Sequence, residues 1–417
     1  MPITFDTLPE FPIIACQGPG RDVDLPPERF PCTAESMGSL AQAGFNLNWS
    51  SCGLDNPAQV LDLARDAGVK MITGIRGARG WDTDIDESFV AEQVRRVRDH
   101  EGLFGYVVDD EPFADRFAVN AQLFRLFRQH DPEHYVYYNH WAPGMSWHGF
   151  HSYEEMLDRY FELCRPTHVS ADLYPIEPVS ADDWQAHKES VPWYFPRHRA
   201  RLSPHYFEML EILRQYARKW DVPLLAWTLA AHRYLPETAE GEMRFQLMTG
   251  LAYGARGLQY FGYYAGWMLA DHHGEPTANW HIARRINQEL KSLGQIIRRL
   301  RHIGVYHHPG NLPYTRLLDQ HCLGHKNDLF SRGDPIVVGQ FLDDQYEYAL
   351  IVNRSPFEPG QIEFHFGTDD EVLGFNPQLT DWIRPWPYNP RKMSISLPPG
   401  EGRLYRFHRD VTHIKYR

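Results

Sequence analysis

Two kinds of hydrophobic spacing alternate along the chain. Short runs of β-branched and aromatic residues, closed by polar residues or Pro, read as buried strands. Longer stretches with apolar residues three and four apart, opened by a capping side chain and closed near Gly, read as helices. The strands fall at 11–18, 45–50, 69–77, 103–110, 135–141, 167–175, 223–228 and 257–264. Helices fall between them at about 33–43, 56–68, 86–102, 116–130, 152–165, 204–220, 237–255 and 279–301. Eight strand–helix alternations over this length predict a (β/α)8 barrel. A doubly wound open sheet is the rival, but Cys16-Gln-Gly-Pro-Gly20 is not a Gly-rich phosphate turn, and no Walker A pattern occurs. After about residue 304 the helical period stops. Short alternating strands at 335–341, 346–352, 360–366 and 403–407, separated by Asn-Arg-Ser-Pro and Pro-Pro-Gly turns, predict a small antiparallel β-sandwich. The expected division is a barrel over 1–304 and a sandwich over 305–417. The sandwich reads either as a carbohydrate-binding module or as a packing domain.

The fourth strand organises the rest. Leu103-Phe-Gly-Tyr-Val-Val begins as an apolar run and ends in Asp109, Asp110 and Glu111, where Pro112 stops it. Chemistry on a barrel sits at the C-terminal strand ends. Those ends collect Gln17, Asn48, Trp49, Arg76 with Trp81 just beyond, Asp110, Glu111, Asn139, His140, Trp141, Asp172, Tyr174, Trp227, Thr228, Tyr260, Tyr263 and Tyr264. Each alone reads equally well as structure. Together, carboxylates, amides and flat aromatic faces are what sugar hydroxyls and the C–H faces of sugar rings require.

Composition narrows the classes. A formal net charge of −12 argues against nucleic acid and anionic membrane surfaces. No run of eighteen apolar residues exists to span a bilayer. The N-terminus lacks the basic and apolar regions of a signal peptide, so a cytoplasmic location is expected. Five Cys without metal-ligand spacing read as free thiols. No cofactor is expected. His272 and His273, beside Asp271 and Glu275, read as a polar loop before they read as a metal site.

The order of elements, the acid at the fourth strand and the trailing sandwich resemble the superfamily of barrel glycoside hydrolases that carry their acid/base on strand four. The stretch from Glu242-Met-Arg-Phe to Gly-Leu-Gln-Tyr-Phe261 is similar to those enzymes, as are Leu269-Ala-Asp-His-His-Gly-Glu-Pro-Thr277 and Arg285-Ile-Asn-Gln-Glu-Leu. The resemblance covers about 11–304. It implies Glu111 as general acid/base, a carbohydrate substrate and retention of configuration. Two departures stand out. The seventh strand, Leu224-Leu-Ala-Trp-Thr-Leu-Ala230, has no carboxylate where retaining members place the nucleophile, and Asp110 stands where they usually show Asn.

A second carboxylate must then come from elsewhere. Asp172, at another strand end, is the leading candidate, with Glu242 at the start of the seventh helix and Asp110 behind it. Asp110 and Glu111 adjoin, and like charges raise a pKa, but adjacent strand residues point to opposite sides. The long connection at 176–203, with Trp184, Trp193, Tyr194, Phe195, Arg197, His198, Arg199 and Arg201, reads as a lid or as a subunit interface, which leaves a homo-oligomer open. A catalytically silent sugar-binding barrel and a metal-dependent barrel hydrolase or lyase are the competing functions.

Overall fold

The computed structural model describes residues 3–20, 32–53, 57–75, 77–80, 82, 84–144, 149–180, 182, 185, 194–230, 240–264, 266, 268–310, 312–318, 331–364, 371–385, 389 and 392–408. The chain divides into two compact units. One comprises Met1–Leu173, Ile212–Arg233 and Arg256–Gln288, and the other Tyr174–Glu211, Tyr234–Ala255 and Glu289–Arg417.

The first unit holds the barrel. Its strands are β1 (Ile13–Cys16), β2 (Leu47–Gly53), β3 (Lys70–Gly74), β4 (Leu103–Asp110), β5 (Tyr135–Asn139) and β6 (Val169–Ser170), then β10 (Leu224–Leu229) and β11 (Gly257–Phe261). Every pairing is parallel, in the order β5-β4-β3-β2-β1-β11-β10-β6. A parallel bridge from His140 to Ala171 joins the two ends of that order and closes the circle. All C-terminal strand ends therefore share one rim, as a right-handed βα chain requires. The strands are buried on both sides, which is why they read as nearly continuous apolar runs.

The helices between them are α1 (Ala34–Gln42), α2 (Pro57–Asp66), α3 (Glu87–Val97), α4 (Phe117–His130), α5 (Tyr153–Cys164), α6 (Tyr206–Trp220), α7 (Glu240–Ala252) and α8 (Ala278–Ile297). Their starts follow capping chemistry. Thr33 and Ser36 form a capping box on α1, Asp86 accepts from Ser88 and Phe89 on α3, and Ser152 accepts from Glu155 on α5. Gly105 lets β4 lie close to β5, because a Cβ there would sit 2.2 Å from the Tyr135 carbonyl oxygen.

The second unit carries the sandwich. Its larger sheet has the order β12-β14-β15-β20-β17-β18, comprising Arg301–His308, Ile336–Leu342, Tyr346–Asn353, Gly402–His408, Leu373–Asn376 and Asp381–Ile383. The smaller has the order β13-β16-β19, comprising Ser331–Gly333, Gly360–Phe364 and Met393–Leu397. Alternate residues of both sheets meet in one core, with Ile336, Val338, Ile351 and Phe407 from the larger sheet and Ile362, Phe364 and Ile395 from the smaller. Burying each such side chain contributes roughly 1.5–3 kcal/mol. The first strand, β12, begins at Arg301, where the helical reading runs on to about 301, because α8 ends at Ile297.

The connection at 176–203 contains a small antiparallel sheet in place of irregular loop, ordered β7-β9-β8 over Ile176–Pro178, Ala200–Leu202 and Tyr194–Phe195. Within the same unit His198 stacks on Phe357 at 4.3 Å and Phe195 meets it edge-on at 4.9 Å. Three strands of two or three residues are too short to show a period in sequence, and that is why the stretch reads as loop. Trp184 and Trp193 lie outside the described residues.

Candidate active site

Strand β4 turns its last two residues to opposite sides, as the pleat demands. Asp109 points away from the barrel interior and is fully buried. Arg116 Nη1 donates to its Oδ1 at 2.9 Å, the Asp110 N–H to the same oxygen at 2.8 Å, and Asn120 Nδ2 to its Oδ2 at 3.0 Å. Burial raises the Asp109 carboxyl to about 6, against the opposing pull of Arg116 and Asn120. Arg116 Nη2 also donates to the Glu111 carbonyl at 2.8 Å, while the Glu111 N–H donates to the Asn139 carbonyl at 3.0 Å. These two bonds hold Glu111 in a left-handed conformation, φ 51°. Such backbone strain in a non-Gly residue persists only where the surroundings impose it.

Asp110 points the other way. Asn139 Nδ2 donates to Asp110 Oδ1 at 3.2 Å and to Asp172 Oδ1 at 2.7 Å, so one amide nitrogen spans two half-buried carboxylates. The orientation of that amide is dictated from below. Trp227 Nε1, which can only donate, lies 2.9 Å from Asn139 Oδ1, and Ser170 Oγ donates to the same oxygen at 2.7 Å. The NH2 group therefore faces the acids. The support continues inward. Trp227 Nε1 and Gln259 Nε2 both donate to Ser170 Oγ at 2.9 Å, and Tyr137 OH donates to Gln259 Oε1 at 2.5 Å. Trp49 packs 5.2 Å from Tyr137 and 5.7 Å from Trp227. Burial raises the Asp110 carboxyl to about 7, with the neighbouring Asp172 charge as the next cause and Asn139 opposing.

The remaining sequence-predicted residues fall in several places. Gln17 ends β1 in a left-handed conformation, φ 60°, and its buried Oε1 finds no partner among the described residues. Trp141 lies beyond β5, 5.4 Å from Phe113. Asn48 and His140 are not brought to the acids, because each adjoins an inward-facing residue and so turns to the other side of the sheet, and Tyr263 lies past the end of β11. Asn48 Nδ2 donates to the Pro19 carbonyl at 2.5 Å. His140 is enclosed by Phe117, Tyr153 and Tyr160, and burial lowers its pKa to about 3. Tyr263 packs against Phe45 and Tyr264. Tyr174 and Glu242 belong to the second unit, where Glu242 is buried in the first turn of α7 and burial raises it to about 7. Arg76 and Trp81 lie outside the described residues.

Sequence reasoning missed Ser170, Gln259, Tyr137 and Arg116. The first three had a signal. Tyr137 precedes Asn139 by two, Ser170 precedes Asp172 by two, and Gln259 is a polar break in an apolar strand, so period two places them inward. Arg116 had none, since its target is a side chain seven residues back across a turn.

Gly80 completes the Asp109 clamp. A Cβ there would lie 2.0 Å from Asp109 Oδ2, which Asn120 Nδ2 holds, and 2.2 Å from Asn120 Oδ1, and both side chains are fully buried. Gly80→Ala is expected to destabilise the protein by about 1–3 kcal/mol. Thermal unfolding checks this, and an unchanged Tm would show that the clamp yields.

Among the described residues no group of three or more His, Cys, Asp or Glu is placed to hold a metal, and no helix is long and apolar enough to cross a membrane. No protein-family profile and no curated protein sequence matches the chain. Solved structures do. A glycoside hydrolase of family 5 from Bacteroides vulgatus is similar over 96% of this chain and 90% of its own, at 10% identity and a TM-score of 0.55. A noncanonic maltogenic α-amylase, AmyB, from Thermotoga neapolitana is similar over 95% and 99%, at 9% identity and a TM-score of 0.50. A β-galactosidase from the psychrophilic Marinomonas ef1 is matched over 70% of this chain, which spans only 62% of that enzyme, at 11% identity and a TM-score of 0.48. At these identities the likeness is one of fold: a parallel eight-stranded barrel with a further antiparallel domain.

Proposed function

We propose that the protein is a glycoside hydrolase whose working carboxylates are Asp110 and Asp172. The observation that carries this reading is the Asn139 amide nitrogen donating to both acids at once. Glycosidic cleavage needs one protonated carboxyl for the leaving oxygen and one ionised carboxylate opposite it. Asp110, raised to about 7, suits the proton donor. Asp172, held by the shorter Asn139 hydrogen bond at 2.7 Å, suits the ionised partner. Trp227, Trp49 and Tyr137 pack on one another as a buried floor beneath the pair, which keeps the Asn139 amide fixed. The solved structures that share this fold are themselves named as glycosidases, which supports a carbohydrate substrate by analogy of fold.

The spacing bears on stereochemistry. Both acids bond the same nitrogen, so their bonded oxygens cannot be further apart than the two bond lengths laid end to end. A pair bridged this closely admits the roughly 5–5.5 Å carboxyl separation of a retaining enzyme. Retention is the expected outcome, with Asp172 as nucleophile. Proton NMR of the first-released sugar tests it, and an inverted anomer would overturn the direct-attack assignment. Glu111 sustains a second reading, favoured by its imposed left-handed backbone: it donates the proton and Asp110 only tunes Asp172.

A further inference from the structure

A cavity lies on the helical side of the barrel, away from these acids. It has a volume of about 420 Å3 and is lined by α1 and by the segment joining β11 to α8. Helix α1 follows β1, and β1 pairs with β11, so both walls leave the barrel at neighbouring strand ends. In the closed strand order these lie across the mouth from β4, β5 and β6, which carry the Asp110–Asn139–Asp172 cluster.

We propose that this cavity is a second carbohydrate-binding pocket, taking a neutral sugar unit of an oligosaccharide whose other end reaches the carboxylates. Its volume falls in the range of small-molecule sites. Ser39 and Gln42 line it from the helix, and His273 and Glu275 from the loop, with Glu35 at the helix start and Trp280 behind. Acceptors outnumber donors in that set. No Lys or Arg lines the cavity, and two carboxylates do, so an anion is disfavoured and a ligand rich in O–H donors is favoured. Trp280 closes the cavity as a buried wall, with Arg284 over its ring at 5.6 Å, which leaves less room for a ligand cation there.

Two further observations support a built pocket. Trp280 is 3% exposed, and its Nε1 makes no aligned hydrogen bond. Ser39 Oγ is likewise buried without an aligned partner, although both side chains sit close enough to Tyr263 to act on its phenol as donors. Polar groups buried with such poorly aligned partners are ones that a bound hydroxyl would satisfy after a small shift. The loop is also pre-shaped. Asp271 Oδ1 accepts from the His273 N–H at 2.8 Å and the Glu275 N–H at 3.0 Å, and Ala270 pairs with Pro276.

The identity of the ligand rests on the glycosidase reading, so the test separates binding from turnover. Cellohexaose, mannohexaose and maltohexaose are titrated calorimetrically into the full chain carrying Asp172→Asn, then into that protein with Ser39→Trp, which fills the cavity, or Glu275→Ala, which removes an exposed acid. The expected result is that at least one hexasaccharide binds and that each added change weakens it about tenfold, with circular dichroism unchanged. Should Ser39→Trp fail to fold, Glu275→Ala carries the test. Absence of binding by all three sugars, unaltered affinity in the folded variants, or calorimetric binding of spermine with none of the sugars would overturn the proposal. Loss of sugar binding in these variants, in a protein whose Asp172 form hydrolyses nothing, would sustain the pocket and refute the catalytic reading.

Discussion

Asp172→Asn is expected to lower kcat/KM on the order of 10³-fold or more while the protein stays folded. The substitution is nearly isosteric, and its side-chain oxygen can still accept from Asn139 Nδ2, so the cluster keeps its shape. What disappears is the negative charge, and with it any capacity to attack the anomeric carbon or activate a water. Glu111→Gln is the informative companion. The resemblance to strand-four acids expects it to cost several orders of magnitude on substrates with poor leaving groups. If Asp110 is the proton donor, it costs far less, because the Glu111 backbone, which Arg116 and Asn139 hold, is untouched. Steady-state kinetics on a panel of natural and aryl glycosides decides between them. Turnover by Asp172→Asn within a few-fold of the unaltered protein would remove Asp172 from the reaction.

How much of this was open to reading in the sequence depends on which physical signal each residue carried. The barrel was legible because short apolar runs and period 3.6 alternate cleanly through eight rounds, and the main sandwich strands were legible by their period two. Asp110 and Asp172 were legible as acids ending apolar runs. Their union through Asn139 was not, because which way that amide turns depends on Trp227 and Ser170 beneath it. Strand ends also mislead in a regular way. Asn48 beside Trp49, and Asn139 beside His140, differ by one residue and so face opposite sides of the sheet. A list of strand-end residues mixes both faces unless parity is applied, and parity needs the register. The seventh strand illustrates the converse: it lacks an acid, yet Trp227 orients the amide that binds two.

The second large effect is on pH dependence, and its sign follows from Asp110. Its carboxyl is raised to about 7, by burial first and by Asp172 next. A proton donor of that kind works below about 7, so kcat/KM is expected to fall as pH rises through that value. The same shift makes the native state bind a proton that the unfolded chain has already released, between the ordinary carboxylate range near 4 and about 7. The stability it provides is therefore complete below about 4 and is lost as pH rises to 7. Asp109, raised to about 6 by burial, and Glu242, raised to about 7 by burial, act in the same direction. Asp131 and Asp343 act oppositely: burial pushes them up, but hydrogen bonds outweigh it, so they lose stability in acid. Thermal stability should then peak in mildly acidic solution and decline toward pH 8. Asp110→Asn removes one of the buried charges, so it should shrink that decline by about 1–3 kcal/mol and raise Tm above pH 7 relative to the unaltered protein. It should also remove most activity on poor leaving groups. Tm measured against pH for both proteins tests this, and parallel curves would mean that Asp110 ionises freely in the native state and cannot be the donor.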